Sequence, residues 1–113
     1  MHELGLMQTA LDMAFAQARR AGASRIHTLR LRVGIQSGVV VEALEMAFTV
    51  ATSGTPADSA ELVIESVPVI CRCRRCGRDF QADDVIYCCP ICGELSAHVS
   101  QGTELELASL EVS

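Results

Sequence analysis

Two cysteine pairs carry the clearest chemistry in this chain. Cys73-Arg74-Arg75-Cys76-Gly77 and Cys89-Pro90-Ile91-Cys92-Gly93 repeat one CxxCG pattern, with residues 77–88 between Cys76 and Cys89. Two residues between cysteines let both sulfurs of one turn reach the same metal ion. The trailing glycine permits a left-handed backbone, which turns amides toward the sulfurs. Two such turns supply four thiolates at the tetrahedral geometry of zinc. An iron–sulfur cluster, a redox-active CxxC and a disulfide framework are the competing chemistries. The matched pair argues against a thioredoxin-like site, since neither turn opens the helix of a βαβ unit. Four thiolates close the coordination sphere and leave no position for a water nucleophile, so the spacing predicts structural zinc rather than a hydrolytic centre. A zinc tetrathiolate is net negative, and Arg72, Arg74, Arg75 and Arg78 partly offset that charge. Cys71 and Cys88 lack the trailing glycine and read as packing residues or spare thiols. The alternative is that one of them exchanges into the metal site.

The second candidate lies at the other end of the logic, in backbone nitrogen rather than sulfur. The chain starts Met1-His2-Glu3. A bulky second residue such as His2 blocks removal of the initiator methionine, so the free amine is expected on Met1. That amine, the His2 backbone nitrogen and the His2 imidazole can form fused chelate rings on one cation. Glu3 adds a further backbone nitrogen and a carboxylate. Nitrogen-rich planar coordination suits Ni(II) or Cu(II), and a histidine at position 2 leaves part of the plane open for transfer. The same residues have plainer readings. His2 can be an ordinary polar residue, and Glu3 can complement the dipole of a helix that begins here.

Other functions fit less well. The 113 residues carry a net charge of −5, which disfavours a nucleic-acid surface built from many phosphate contacts. His27 and His98 have no nucleophile or paired acid at a recognisable spacing, so no enzyme is expected. His27 falls on the apolar parity of its strand, the place for a satisfied core or strand-end histidine. An acidic residue at position 3 is unlike a signal peptide, and no apolar run is long enough to span a bilayer. A cytoplasmic location follows as the expectation, with reduced cysteines free to bind metal.

These groups need a frame. Leu4, Met7, Leu11, Ala14, Phe15 and Ala18 recur at helical spacing up to a stop near Gly22. Leu29, Leu31, Val33 and Ile35 alternate with polar residues and predict a strand. Val40, Ala43, Leu44, Ala47, Phe48 and Ala51 predict a second helix closed at Gly54. ELVIESVPVI is a second strand, with Pro68 placing part of it at an edge or strand end. ELELASLEV is a third, in which Leu105 and Leu107 share one parity and Leu110 and Val112 the other. A bulge near Ala108–Ser109, or burial on both faces, would reconcile them. The expected fold is α/β (α+β): two helices packed on a three-stranded sheet, with a zinc-ribbon-like four-cysteine module inserted before the last strand. The body comprises 1–70 and 98–113, and the module 71–97. The strands on either side of the module can pair as a long hairpin with the module at its tip. Monomer and homodimer are both open, since the last strand lies beyond the insertion.

The start MHE, the block VGxxSGVVxEALxMAF at 33–48, the paired CxxC turns and the closing GTELELASLEV together resemble the HypA/HybF family of hydrogenase nickel-incorporation proteins. The resemblance spans nearly the whole chain. It implies that His2 binds nickel with help from the Met1–Glu3 backbone and the Glu3 side chain, and that Cys73, Cys76, Cys89 and Cys92 hold zinc. It implies partners too: the GTPase HypB, the large subunit of a [NiFe]-hydrogenase, and urease accessory proteins where members also serve urease. One departure is Val41, where many relatives have proline. The competing function is a zinc-ribbon module binding protein or nucleic acid, which leaves MHE and both amphipathic helices without a task.

Overall fold

The computed structural model describes residues 2–82, 87–95 and 97–113. The order is α1 (His2–Arg20), β1 (Ile26–Gly34), α2 (Val41–Thr52), β2 (Glu61–Val67), β3 (Val69–Cys73), β4 (Asp79–Ala82), β5 (Ala97–Gln101) and β6 (Leu105–Val112). Two compact units result. The first comprises Met1–Arg32, Val39–Glu65 and Glu106–Ser113, and the second comprises Val33–Gly38 and Ser66–Leu105.

In the first unit α1 packs against α2. The inward stripe of α1 is Glu3, Met7, Ala10, Leu11, Ala14 and Ala18. Leu4, expected inside, is 38% exposed, and Phe15 is half-buried. Glu3 takes the inward position because its carboxylate finds a donor there, the Val40 N–H. Helix α1 ends where Gly22 adopts φ +71 and the Ala23 N–H donates to Ala18 O, a closure that a Cβ would strain. Helix α2 turns Leu44, Ala47, Phe48 and Thr52 inward, and leaves Val40 outside at 54% exposure. The fully buried Met7, Leu11, Leu29, Leu31 and Leu44 form its core, each contributing about 1.5–3 kcal/mol.

One sheet has the order β2-β1-β6. Strand β1 therefore separates the two strands expected to form a hairpin. Their burial differs accordingly. Ile26, Leu29, Leu31 and Val33 of β1 are almost wholly buried, as befits a central strand, whereas Leu62, Val63 and Ile64 of β2 and the leucines of β6 are only half-buried, as befits edges. Along β6 the half-buried positions run 105, 107, then 110, 112, with Ala108 and Ser109 both exposed between them; the parity changes where the sequence requires it. His27 is exposed rather than in the core, and its Nε2 bonds Ser113 Oγ. Ile26 takes the buried place at the start of the strand.

A second sheet, β4-β3-β5, was not foreseen. Pro68 lacks an N–H and ends β2 one residue before β3 begins. Strand β3 then pairs antiparallel with β4 (Cys71 opposite Phe80, Arg72 opposite Asp79) and with β5 (Cys71 opposite Val99, Arg72 opposite His98). The turn after β1 belongs to this unit through the bonds Ile35 N–H to Val67 O and Gln36 N–H to Gly102 O. A Cβ at Gly34 would run into the Gly102 backbone, and Gly102 itself has φ +109 with Val69 against it. Both positions require glycine.

Candidate metal centres

The end of β3 places Cys73, and the turn that follows brings Cys76 beside it. Gly77, at φ +74, lets its N–H return to Cys73 O at 2.9 Å, while Cys73 N–H donates to Arg78 O. The second turn repeats this design: Gly93, at φ +76, donates to Cys89 O at 2.9 Å, and Cys89 N–H donates to Glu94 O. The two turns bring four sulfurs together. Cys73 Sγ lies 3.5 Å from Cys92 Sγ, and Cys76 Sγ lies 3.7 Å from Cys89 Sγ. All four Sγ atoms fall within 4.8 Å of one another. A zinc–sulfur bond of about 2.3 Å gives a tetrahedron whose edges are about 3.8 Å. The cluster fits zinc.

The backbone prepares these sulfurs for metal. The Cys76 N–H, 3.5 Å from Cys73 Sγ, and then the Arg75 N–H pull the Cys73 thiol down to about 6. The amides of Cys92 and Ile91 lower Cys89 in the same way. Cys92 differs: the Glu94 amide lowers it, but burial and the neighbouring thiols carry it up to about 11. One sulfur of the metal-free cluster thus keeps a proton that the others help to hold. Arg72 pairs with Asp79 at 3.1 Å. Arg74, Arg75 and Arg78 are exposed on the first turn, where their charge offsets that of the thiolates.

The remaining candidates separate clearly. Cys71 is fully buried with Val69, Cys73, Phe80 and Cys89, and burial raises its thiol; it is a packing residue. Cys88 is exposed, its thiol directed at Gly93 O at 3.6 Å. His98 is exposed on β5. None of these three belongs to the four-cysteine group.

At the N-terminus, Met1 lies outside the described residues. The His2 side chain is 59% exposed, and its Nδ1 lies 3.1 Å from Glu3 Oε2. The same oxygen accepts the Val40 N–H at 3.3 Å. Bonding to its own backbone N–H, then to that of Val40, holds the Glu3 carboxyl below its usual range, with His2 reinforcing the effect. The sequence reading missed Val40. A main-chain donor leaves no mark in residue type. The available signal was indirect: α2 begins without Ser, Thr, Asp or Asn at its cap, so an acceptor from elsewhere was needed.

The family model for hydrogenase/urease nickel incorporation, metallochaperone, HypA, matches residues 1–112. The chain belongs to the HypA family. Among HypA relatives, the hydrogenase maturation factor HypA of Picosynechococcus sp. is 47% identical over 99% of both chains. That of Chloroflexus aggregans is 39% identical over 98% of both. The solution structure of the nickel metallochaperone HypA from Helicobacter pylori superposes with a TM-score of 0.70 at 22% identity, covering 97% of this chain and 96% of that one. A second HypA solution structure gives 0.77 at 23% identity, covering 100% and 97%. Both show the HypA fold. Among the described residues no helix is long and apolar enough to cross a membrane.

The thiol chemistry sets a pH dependence for zinc binding at this four-cysteine cluster. Ligand thiols must be deprotonated, so zinc displaces whatever protons the cluster holds. At pH 7 Cys73, near 6, has largely lost its proton, while Cys92, near 11, retains one. Zinc binding at pH 7 is therefore expected to release at least about one proton, and affinity should fall steadily as pH drops through 6, where Cys73 also begins to hold one. Calorimetry in buffers of different ionisation enthalpy counts those protons. No proton release at pH 7 would contradict this account.

Proposed function

We propose that this chain binds Ni(II) through Met1, His2 and Glu3 and delivers it for maturation of [NiFe]-hydrogenase, while Cys73, Cys76, Cys89 and Cys92 hold structural zinc. The observation that carries the reading is the exposed His2 imidazole at the head of α1, directly beside Glu3. The first N–H groups of a helix have no intrahelical acceptor. The His2 and Glu3 backbone nitrogens therefore make no intrahelical ladder bond and can join an amine and an imidazole around one planar ion. Nickel here is cargo, and the exposed position suits release.

The protein acts by binding and handing over, not by catalysis. Its proposed partners are the GTPase HypB, the hydrogenase large subunit as final acceptor, and urease accessory proteins where urease is also served. Its proposed location is the cytoplasm, as monomer or homodimer. Nucleic acid is not among its partners. The alternative of a zinc-ribbon binding module accounts for the cysteines alone.

The test moves the amine without touching any side chain. A single residue added before Met1 turns that amine into an amide. Nickel titration of the zinc-loaded chain is expected to show tight binding lost in the extended form and kept when the same residue is added after Ser113. Equal affinity in both would remove the N-terminal chelate from consideration.

A further inference from the structure

The end of α1 far from His2 borders an open pocket of about 500 Å³, within the usual size range of ligand sites. Phe15, Ala18, Ala23, Ile26 and Pro56 give it an apolar lining, all within the first compact unit. Phe15 lies on the apolar stripe of α1 yet stays half-buried, because it forms a wall of this pocket. The other two phenylalanines, Phe48 and Phe80, are buried. The rim is fixed by hydrogen bonds. Gly54 turns the chain after α2 at φ +74, Thr55 Oγ1 donates to Thr52 O at 2.7 Å, and the Ile26 N–H donates to Pro56 O at 3.1 Å. At the end of α1 the carbonyls of Gln17, Ala18 and Arg19 already accept from Ala21, Ala23 and Gly22. The charge around the pocket is one-sided. No acidic residue lines it, although the chain carries 14 acidic residues against 9 basic ones. Arg25 is engaged by Asp58 at 2.8 Å and Ser59 at 3.2 Å. Arg19 is exposed, and among the described residues no carboxylate lies within ion-pair distance of it.

We propose that this pocket docks a short acidic segment of a partner protein, with apolar side chains entering between Phe15, Ile26 and Pro56 and a flanking carboxylate pairing with Arg19. The apolar lining provides burial, and the arginine provides selection. Its planar guanidinium can take a carboxylate through two parallel N–H donors. A basic segment would meet Arg19 and the neighbouring Arg20 as like charges. The rim is already ordered, so little further ordering is needed on docking. A family that incorporates nickel into other proteins must meet them at a surface, and this one keeps clear of the chain's start. From His2 to Arg19 the helix rises about 26 Å, at 1.5 Å per residue. A partner held at Arg19 leaves the first turn of α1 uncovered. The proposal stands whether or not nickel binds at the N-terminus.

Three end-blocked peptides, DELFED, KRLFRK and DESSED, titrated into the isotope-labelled, zinc-loaded full chain test this by amide NMR. The first carries an apolar pair with acidic flanks, the second the same pair with basic flanks, and the third the acidic flanks alone. DELFED is expected to shift the amides of Ala18, Arg19, Ala23, Ile26 and Gly54 with a Kd of about 0.1–1 mM, the scale of so small a contact. KRLFRK and DESSED should bind at least about tenfold more weakly, since each lacks one of the two interactions. Arg19→Glu should reverse the order of DELFED and KRLFRK. Phe15→Ala should abolish measurable binding of DELFED. Arg19 is exposed, so Arg19→Glu keeps the fold and decides alone if Phe15→Ala does not fold. Equal binding of DELFED and KRLFRK would show that charge does not select the occupant, and equal binding of DESSED would show that the apolar lining is not used. Either result, or shifts that are absent or lie away from the pocket, overturns the proposal.

Discussion

A Cys76→Ala chain is expected to lose its zinc and, with it, the order of the cysteine-bearing unit, while α1 and α2 remain folded. The reasoning begins with how little else holds that unit together. Among the described residues its buried cluster consists of Val69, Cys71, Cys73, Phe80 and Cys89, with Tyr87, Ala97 and Val99 only half-buried against it. Two of those five are proposed zinc ligands, and Phe80 is the one large side chain among them. Such a core cannot offset the conformational entropy of ordering three short strands and two turns. Structural zinc in small modules contributes about 10–16 kcal/mol of apparent binding free energy, which exceeds the net stability of most domains. Removing one of four thiolates should forfeit most of it. The first unit has a core of its own in Met7, Leu11, Leu29, Leu31 and Leu44. Zinc content by a chromophoric chelator and amide exchange residue by residue measure both halves of the expectation. Protection lost in β3 and β5 but kept in α1 and β1 is the expected pattern. A full zinc equivalent with β3 still protected in Cys76→Ala would show that the ligand set is wrong.

How much of this was legible in the sequence depends on where the information resides. The four-cysteine cluster was fully legible, because the CxxCG turn is local: spacing, glycine and amide geometry all sit within five residues. The helices were legible from their period, and the parity change in β6 was visible at Ala108–Ser109. What escaped was non-local. The sequence places β2 and β6 on either side of the cysteine turns, and pairing them was the shortest connection. The structure inserts β1 between them, and β1 is the most deeply buried of the three, the outcome of a competition among strands that no single segment reveals. The β4-β3-β5 sheet was hidden for a similar reason. Its strands are four or five residues long, too short for alternation to stand out beside the cysteines. The Glu3–Val40 bond joins positions 37 apart through a main-chain donor, which residue types cannot signal.

His2→Ala is expected to abolish tight nickel binding while leaving zinc content and helicity unchanged. The substitution removes only the imidazole. The side chain is 59% exposed, so little packing is lost, and alanine is the best helix former at the head of α1. Loss of a partner one step removed from a metal typically costs about 10–100-fold in affinity, and loss of a ligand that closes a chelate ring should cost more. The Met1 amine and the backbone nitrogens would remain, and nickel should then bind weakly and exchange with buffer ligands. The electronic spectrum adds a check that affinity alone does not: the band of planar, nitrogen-rich Ni(II) present in the unaltered chain should be missing in His2→Ala at any nickel concentration. A His2→Ala protein that binds nickel with full affinity and the same spectrum would place the cargo site elsewhere in the chain.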